Sequence, residues 1–362
     1  MDSPDLDPSQ LACPVPQESS DTVRMAHGGG GRLMWHLIQD VFLPGFRRQG
    51  ETGRDPLSDP PHDSAVIRTG DGTRLAFTTD SFVVRPLFFP GGDIGSLAVY
   101  GTVNDLAMAG AKPLWLSAAF IIEEGFPLDA LKAVVNSMRS AADAAAVRII
   151  TGDTKVVDRG KGDGVFITTT GIGLIPEDVS ISPARIQVGD KILLSGDVGR
   201  HGTAILSVRE NLQFEGALPS DCAPLNGLVR AMAKQAPQAL HCLRDLTRGG
   251  LATALCELAR ESGTGIVVEE TQIPVQPSVA AACELLGLDP LYVANEGRMI
   301  AIVSRDAADS LLKIMQAHPA AADPRIIGEV TAASPGVVEL RNAFGGSRVL
   351  DFLSGEQMPR IC

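Results

Sequence analysis

Residues 188–199 read VGDKILLSGDVG, an apolar run at Ile192-Leu193-Leu194 entered through Gly189-Asp190 and left through Gly196 and Gly199. A run bounded in this way predicts a strand, a glycine turn and then a helix beginning near Thr203. The stretch restarts a pattern rather than continuing one, so a domain boundary is expected near residues 176–188. Length agrees, because 362 residues exceed what one hydrophobic core usually serves. The expected organisation is a disordered extension over 1–22, an N-terminal domain over 23–180, a C-terminal domain over 181–352 and a mobile tail over 353–362.

Upstream of the boundary, a short apolar-periodic segment, Leu33 to Phe46, precedes a charged, proline-containing stretch from Arg47 to Pro61 that reads as an exposed loop. From Ser64, two β-rich runs parted by Gly70-Asp71-Gly72 predict a hairpin. GSLAVYGTVNDLAMAG (95–110) predicts a helix with Ser96 as N-cap and with Gly110 and Pro113 closing it. A strand over 114–122, a helix from Leu128 to Ala146 and strands over 147–153 and 164–175 follow. Downstream, helices are expected over Leu225–Gln235, Leu251–Glu261 and Ala307–Ala317, with strands at Ile266–Val268 and Met299–Val303. Neither half alternates strand and helix strictly, which favours α+β layers over a doubly wound sheet.

Composition narrows the function. A net charge of −12 argues against binding nucleic-acid backbone, which needs clustered lysine and arginine. No apolar run reaches the roughly 20 residues that span a bilayer, and the acidic start MDSPDLDPSQ lacks the basic then apolar order of a signal peptide. A cytoplasmic protein is expected. Cysteines 13, 222, 242, 256, 283 and 362 are scattered, so neither a disulfide framework nor a zinc site is indicated.

Two nucleotide signatures are excluded. HGGGGRLM (27–34) lacks the Lys-Ser/Thr of a phosphate-binding loop, and GDVGRHG (196–202) fails the dinucleotide spacing. The glycine run reads either as a flexible loop or as a flap whose backbone N–H groups fold over phosphate. The acids say more. Asp80 interrupts a β-run, Asp105 an apolar helix, and Asp153 ends an apolar strand. Singly each could be a turn or cap; together they suit a hard divalent cation shared with phosphates. RDLTRGGLATALCELA (244–259) adds Asp245 ahead of a helix for which Thr247 is the expected N-cap, with Arg248 nearby, an arrangement suited to anions. On spacing alone Lys155 is a surface lysine and Glu296 a turn residue.

The chain ends GEQMPRIC (355–362), a polar segment carrying a thiol as its last residue. Extended, the tail reaches roughly 30 Å, enough to cross a small domain.

The stretches HGGGGRLM, TTDSFVV, TVNDLAMAGAKP, TGDTKVV, RDLTRGGL, ANEGRM and PRIC, in that order, resemble the HypE family of hydrogenase maturation proteins over residues 22–362. All but the last are also similar to aminoimidazole ribonucleotide synthetase and selenophosphate synthetase. The resemblance implies a two-domain PurM-like fold, a homodimer, and use of ATP with Mg²⁺. It implies that Cys362 receives a carbamoyl group from a HypF-type carbamoyltransferase and that the group is dehydrated to a thiocyanate. The nitrile would then pass to iron on a HypC–HypD complex as a cyanide ligand for [NiFe]-hydrogenase. Carried over by position, Asp80, Asp105 and Asp245 are metal ligands, with Asp63 beside His62 matching a loop that in the family has paired acids. Asp80, Asn104, Asp105, Thr151, Asp153, Lys155, Thr247, Arg248 and Gly249 would contact nucleotide; Cys362, Lys155 and Glu296 would be catalytic. Two other readings stay open: a ligase or kinase activating a free small molecule, and a non-enzymatic cyanide or sulfur carrier.

Overall fold

The computed structural model describes residues 22–46, 62–212, 218–353 and 361–362. The expected extension (through residue 21), the loop over 47–61 and tail residues 354–360 lie outside the described residues.

Helices α1 (Arg32–Leu37) and α2 (Leu43–Phe46) carry the first apolar segment, joined by a wide turn over Ile38–Phe42. The expected hairpin forms as β1 (Ala65–Arg68) and β2 (Arg74–Phe82), paired antiparallel. A short ribbon, β3 (Phe88–Phe89) with β4 (Gly92–Asp93), leads into α3 (Ile94–Met108). Then come β5 (Lys112–Glu123), α4 (Leu128–Ala144), β6 (Arg148–Val157) and β7 (Val165–Ile175). These strands build a sheet in the order β1-β2-β7-β5-β6.

The second half holds β8 (Lys191–Leu194), α5 (Arg200–Arg209), α6 (Asn226–Gln235), β9 (Leu240–Asp245), α7 (Gly250–Ser262), β10 (Gly265–Glu269) and α8 (Pro277–Leu286). It ends with β11 (Met299–Val303), α9 (Ala308–Ala317), β12 (Arg325–Thr331), β13 (Val338–Arg341) and β14 (Ser347–Leu350). Its sheet runs β14-β13-β10-β12-β8-β11-β9.

Helix α3 is apolar almost all round because it is covered all round. Phe82, Leu116 and Ile167 of the first sheet and Val134 and Met138 of α4 enclose one side. Leu243, Met299 and Ala301 of the second sheet, with α6 and α9, enclose the other. Gly101 is required there, since a Cβ would stand 2.8 Å from the Phe82 ring. The cap differs from expectation. Asp93 is the N-cap, its Oδ1 accepting from Gly95 N at 2.7 Å, while Ser96 Oγ returns the bond by accepting from Asp93 N at 3.0 Å. The far face of the second sheet is covered by α7, through Leu251, Leu255 and Leu258.

Among the described residues, the first sheet is covered on one face only. Phe77, Trp115 and Ile121 on the other face are 40%, 46% and 44% exposed.

Candidate active site

Four acids meet where α3 passes between the sheets. Asp63 precedes β1, Asp80 lies on β2, Asp105 near the end of α3, and Asp245 ends β9. Carboxylate oxygens of Asp63, Asp105 and Asp245 lie within 4.8 Å of one another. Thr78 Oγ1 donates to Asp105 Oδ2 at 2.8 Å, and Ser64 Oγ to the Asp105 carbonyl at 2.7 Å. Arg244 bridges the Asp63 carboxylate (3.0 Å) and Glu257 on α7 (2.5 Å). Among the described residues, Asp63 Oδ2 is buried without a hydrogen-bond partner.

Burial leads the causes that lift the proton affinities of Asp63, Asp105 and Asp245, and repulsion from neighbouring cluster carboxylates adds to it at Asp105 and Asp245. Asp245 is raised to about 8, by burial first and the charge of Asp63 second. Asp63 rises to about 6, burial and Glu257 outweighing Arg244, and Asp105 rises well above the carboxylate range for the same kind of reason. An all-oxygen donor set with an orphaned buried oxygen fits a hard divalent cation such as Mg²⁺. The Asp63 side chain therefore belongs to the cluster although His62 replaces the second acid of the loop. His62 turns its Nε2 to the Leu243 carbonyl at 2.9 Å, and burial holds it neutral, its pKa lowered to about 3.

Beside the acids sits the end of the chain. Val83 N donates to the Cys362 carbonyl at 3.2 Å, and His201 Nε2 lies 2.9 Å from the Ile361 carbonyl oxygen. The Cys362 thiol is pushed up by burial first, opposed by Arg248, with Glu296, Asp80 and Asp245 adding to the rise. Among these groups it rests as a thiol. Glu296 is buried, its Oε1 has no hydrogen-bond partner among the described residues, and burial with the charges of Asp245 and Asp80 raises it well above its ordinary value. Arg248 reaches the surface at the mouth yet interacts most strongly with Cys362.

The turn carrying Arg248 departs from expectation. Thr247 does not cap α7; its hydroxyl faces Asp245 Oδ1 at 3.4 Å. The N-cap is Gly249, at φ 77°, followed by Gly250 at φ 60°, a left-handed pair suited to glycine. The glycine run packs directly on this turn, since a Cβ on Gly30 would come within 2.6 Å of Arg248. Asn104 is also placed differently from a nucleotide ligand. Its amide donates to the Ala223 and Glu296 carbonyls at 3.1 Å and accepts from Leu225 N at 2.8 Å, so it fixes the loops around Glu296.

Thr151, Asp153 and Lys155 do not join this cluster within the chain. Asp80, Thr169, Ala118 and Gly152 are successive partners across β2, β7, β5 and β6, about 14 Å from end to end at the usual strand spacing. Thr151, Asp153 and Lys155 pair with Ser117, Ala119 and Ile121, which places them on the sheet's open face. Lys155 pairs there with Asp153, both exposed. A hollow of about 820 Å³ between α4 and β6, lined by Met138, Arg139, Arg148, Thr151 and Asp153, opens at this edge.

Arg244, His201 and Ser220 escaped the sequence reading. Arg244 stands beside an acid already chosen, and its place in the RD pair was the available signal. His201 lies in GDVGRHG, where the glycines and not the histidine carry the local signal.

Residues 61–175 match the N-terminal domain, and residues 187–341 the C-terminal domain, of AIR synthase related proteins. Carbamoyl dehydratase HypE from Cupriavidus necator is 54% identical over 347 residues, 95% of either chain. The chain belongs to the HypE family of carbamoyl dehydratases. Its fold is the two-domain PurM-like α+β fold of that family. A crystal structure of a HypE–HypF complex aligns with a TM-score of 0.81 at 46% identity, covering 88% of this chain and 99% of that one. HypE in complex with ATP aligns at 0.77 and 45% identity, covering 94% and 100%.

Proposed function

We propose that this chain uses ATP to dehydrate a carbamoyl group carried on its own Cys362, yielding a thiocyanate that supplies cyanide to hydrogenase iron. The observation carrying the reading is the seat of Cys362 among Arg248, Glu296, Asp80 and Asp245, beside the acid cluster. The HypE relatives, one solved with ATP and one with HypF, support it.

The chemistry suits these residues. In S-carboxamide the oxygen leaves poorly as hydroxide and well as phosphate. Transfer of the ATP γ-phosphoryl group to that oxygen, loss of both nitrogen protons and cleavage of the C–O bond give S–C≡N, ADP and phosphate. The substrate's oxygen thus departs in the phosphate. Asp63, Asp80, Asp105 and Asp245 would hold Mg²⁺, which supplies neutralisation of the phosphate charge. Glu296, buried beside Cys362, would accept a nitrogen proton. Arg248, with the Thr247–Gly249 turn, faces the developing phosphate.

Residues 23–180 form the nucleotide-binding and dimerising unit, residues 181–352 its α+β companion, and residues 353–362 the tail. The open sheet face, with Phe77, Trp115 and Ile121 exposed, is the surface a second copy would cover. Thr151, Asp153 and Lys155 then act in the partner's site, Lys155 on the phosphate. A HypF-type carbamoyltransferase loads the thiol and a HypC–HypD complex receives the nitrile, in the cytoplasm. Among the described residues no helix is long and apolar enough to cross a membrane.

Peptide mass spectrometry after incubation with a HypF-type carbamoyltransferase, carbamoyl phosphate and Mg-ATP tests the reading. The Cys362 peptide should gain a carbamoyl group and lose one water only with ATP. Loading without loss of water would leave a carrier, and ATP consumption without any modification of Cys362 would leave a free-substrate ligase.

A further inference from the structure

The last two residues of the chain are held by directed contacts from three places. Ile361 is 4% exposed and packs in the core that contains Phe82, Val84, Ile205 and Leu206. Val83, just past β2, donates to the Cys362 carbonyl. The Ile361 carbonyl is met by His201, the second residue of α5, which is fully buried and lies edge-on to the Phe89 ring at 5.5 Å.

The histidine's tautomer follows from its partners. A carbonyl only accepts, so Nε2 carries the proton and donates to Ile361 at 2.9 Å. Burial lowers the pKa of His201 and keeps the ring neutral, leaving Nδ1 an acceptor for Ser220 Oγ at 2.8 Å. Ser220 Oγ accepts in turn from Cys222 N at 3.0 Å, and Ser220 N donates to the Pro90 carbonyl at 2.8 Å. The chain of bonds thus runs from a fixed loop, through Ser220 and His201, to the chain terminus. Between the held Ile361 carbonyl and the Cys362 sulfur only a few torsions remain.

We infer that His201 and Ser220 form a latch that grips the Ile361 carbonyl and thereby sets the position of the Cys362 sulfur at the acid cluster. The inference rests on the reading of Cys362 as carrier of the reacting group. His201 and Ser220 are positioning residues and touch neither phosphate nor the carbamoyl carbon. Their importance follows from the sensitivity of phosphoryl transfer to sub-ångström placement.

The test is the rate at which iodoacetamide alkylates Cys362, read by peptide mapping on the full-length protein, beside the ATP-driven loss of water from carbamoylated protein. In His201→Phe, alkylation should rise roughly three- to tenfold, the range set by loss of one buried hydrogen bond. Dehydration should slow by at least that factor, with the KM for ATP in place. His201→Gln, whose amide can present a donor to the same carbonyl, should restore much of both. Ser220→Ala and Ile361→Ala, which loosen the latch from either side, give the same readout if His201→Phe does not fold. Unchanged alkylation in folded variants overturns the latch. Protection that depends on His201 without ATP-driven loss of water keeps the latch and removes the dehydratase reading; loss of water with protection indifferent to His201 does the reverse.

Discussion

The two faces of the five-stranded sheet treat polar residues in opposite ways. On the helix-covered face, Asp80 and Thr78 look into a junction where Asp63, Asp105 and Asp245 crowd together and neighbouring carboxylates raise the proton affinities of Asp105 and Asp245. On the open face, Thr151, Asp153 and Lys155 stand in solvent among exposed apolar side chains. Burial draws Asp63, Asp105 and Asp245 together within one chain. Exposure leaves the second set without a function until something covers it. One proposed site is therefore divided between faces that a single sheet cannot bring together.

Breaking the covered face should cost most. Asp245→Asn removes a cluster carboxylate, and ATP-driven dehydration should fall on the order of a thousandfold, several kcal/mol of lost charge neutralisation, measured as ADP formed per carbamoylated Cys362. Lys155→Ala on the open face should lower the same rate by roughly a hundredfold, with the mass in solution unchanged. If Lys155→Ala is harmless, the open face carries no catalysis. Ile121→Asp sharpens the point, because it places a charge in the apolar part of that face. Sedimentation should then show monomer, and turnover should fall with the dimer fraction.

The smallest effect concerns pH. An acid with a raised folded pKa binds its proton more tightly folded than unfolded, so the ion-free protein loses stability as pH climbs from about 4. The loss continues up to the folded value, about 6 for Asp63 and about 8 for Asp245. Mg²⁺ held at the proposed site would offset that repulsion. Its gain in Tm should be larger at pH 8 than at pH 6, by roughly 2–4 °C in a thermal scan.

The covered face was the more legible in sequence. Acids interrupting apolar runs are costly, so Asp80 and Asp105 announced themselves. Asp63 was harder, because its fitness depends on Arg244 and Glu257, brought to it from β9 and α7. The hairpin at 65–82 and the strand Met299–Val303 follow their patterns closely, since local alternation and turn residues decide them. Helix starts were read less well, because the Asp93 carboxylate caps α3 three residues ahead of Ser96, and Gly249 opens α7 through a left-handed backbone that composition does not display. Strand β9 passed unnoticed, its run LHCLRD being mixed in character. Lys155 looked like a surface lysine because in one chain it is one, and only the resemblance gave it a role. His201 was invisible because its partner is the chain's own end, 160 residues away.

The division of the site between faces is tested most directly by mixing two inactive proteins, Asp245→Asn and Lys155→Ala, under conditions that exchange subunits. If Lys155 serves the partner's acids, half the mixed dimers are hybrids with one intact site each, and dehydration should return to roughly a quarter of the wild-type rate. If the mixture exchanges subunits and stays as inactive as its components, the two faces do not share a site and the account fails.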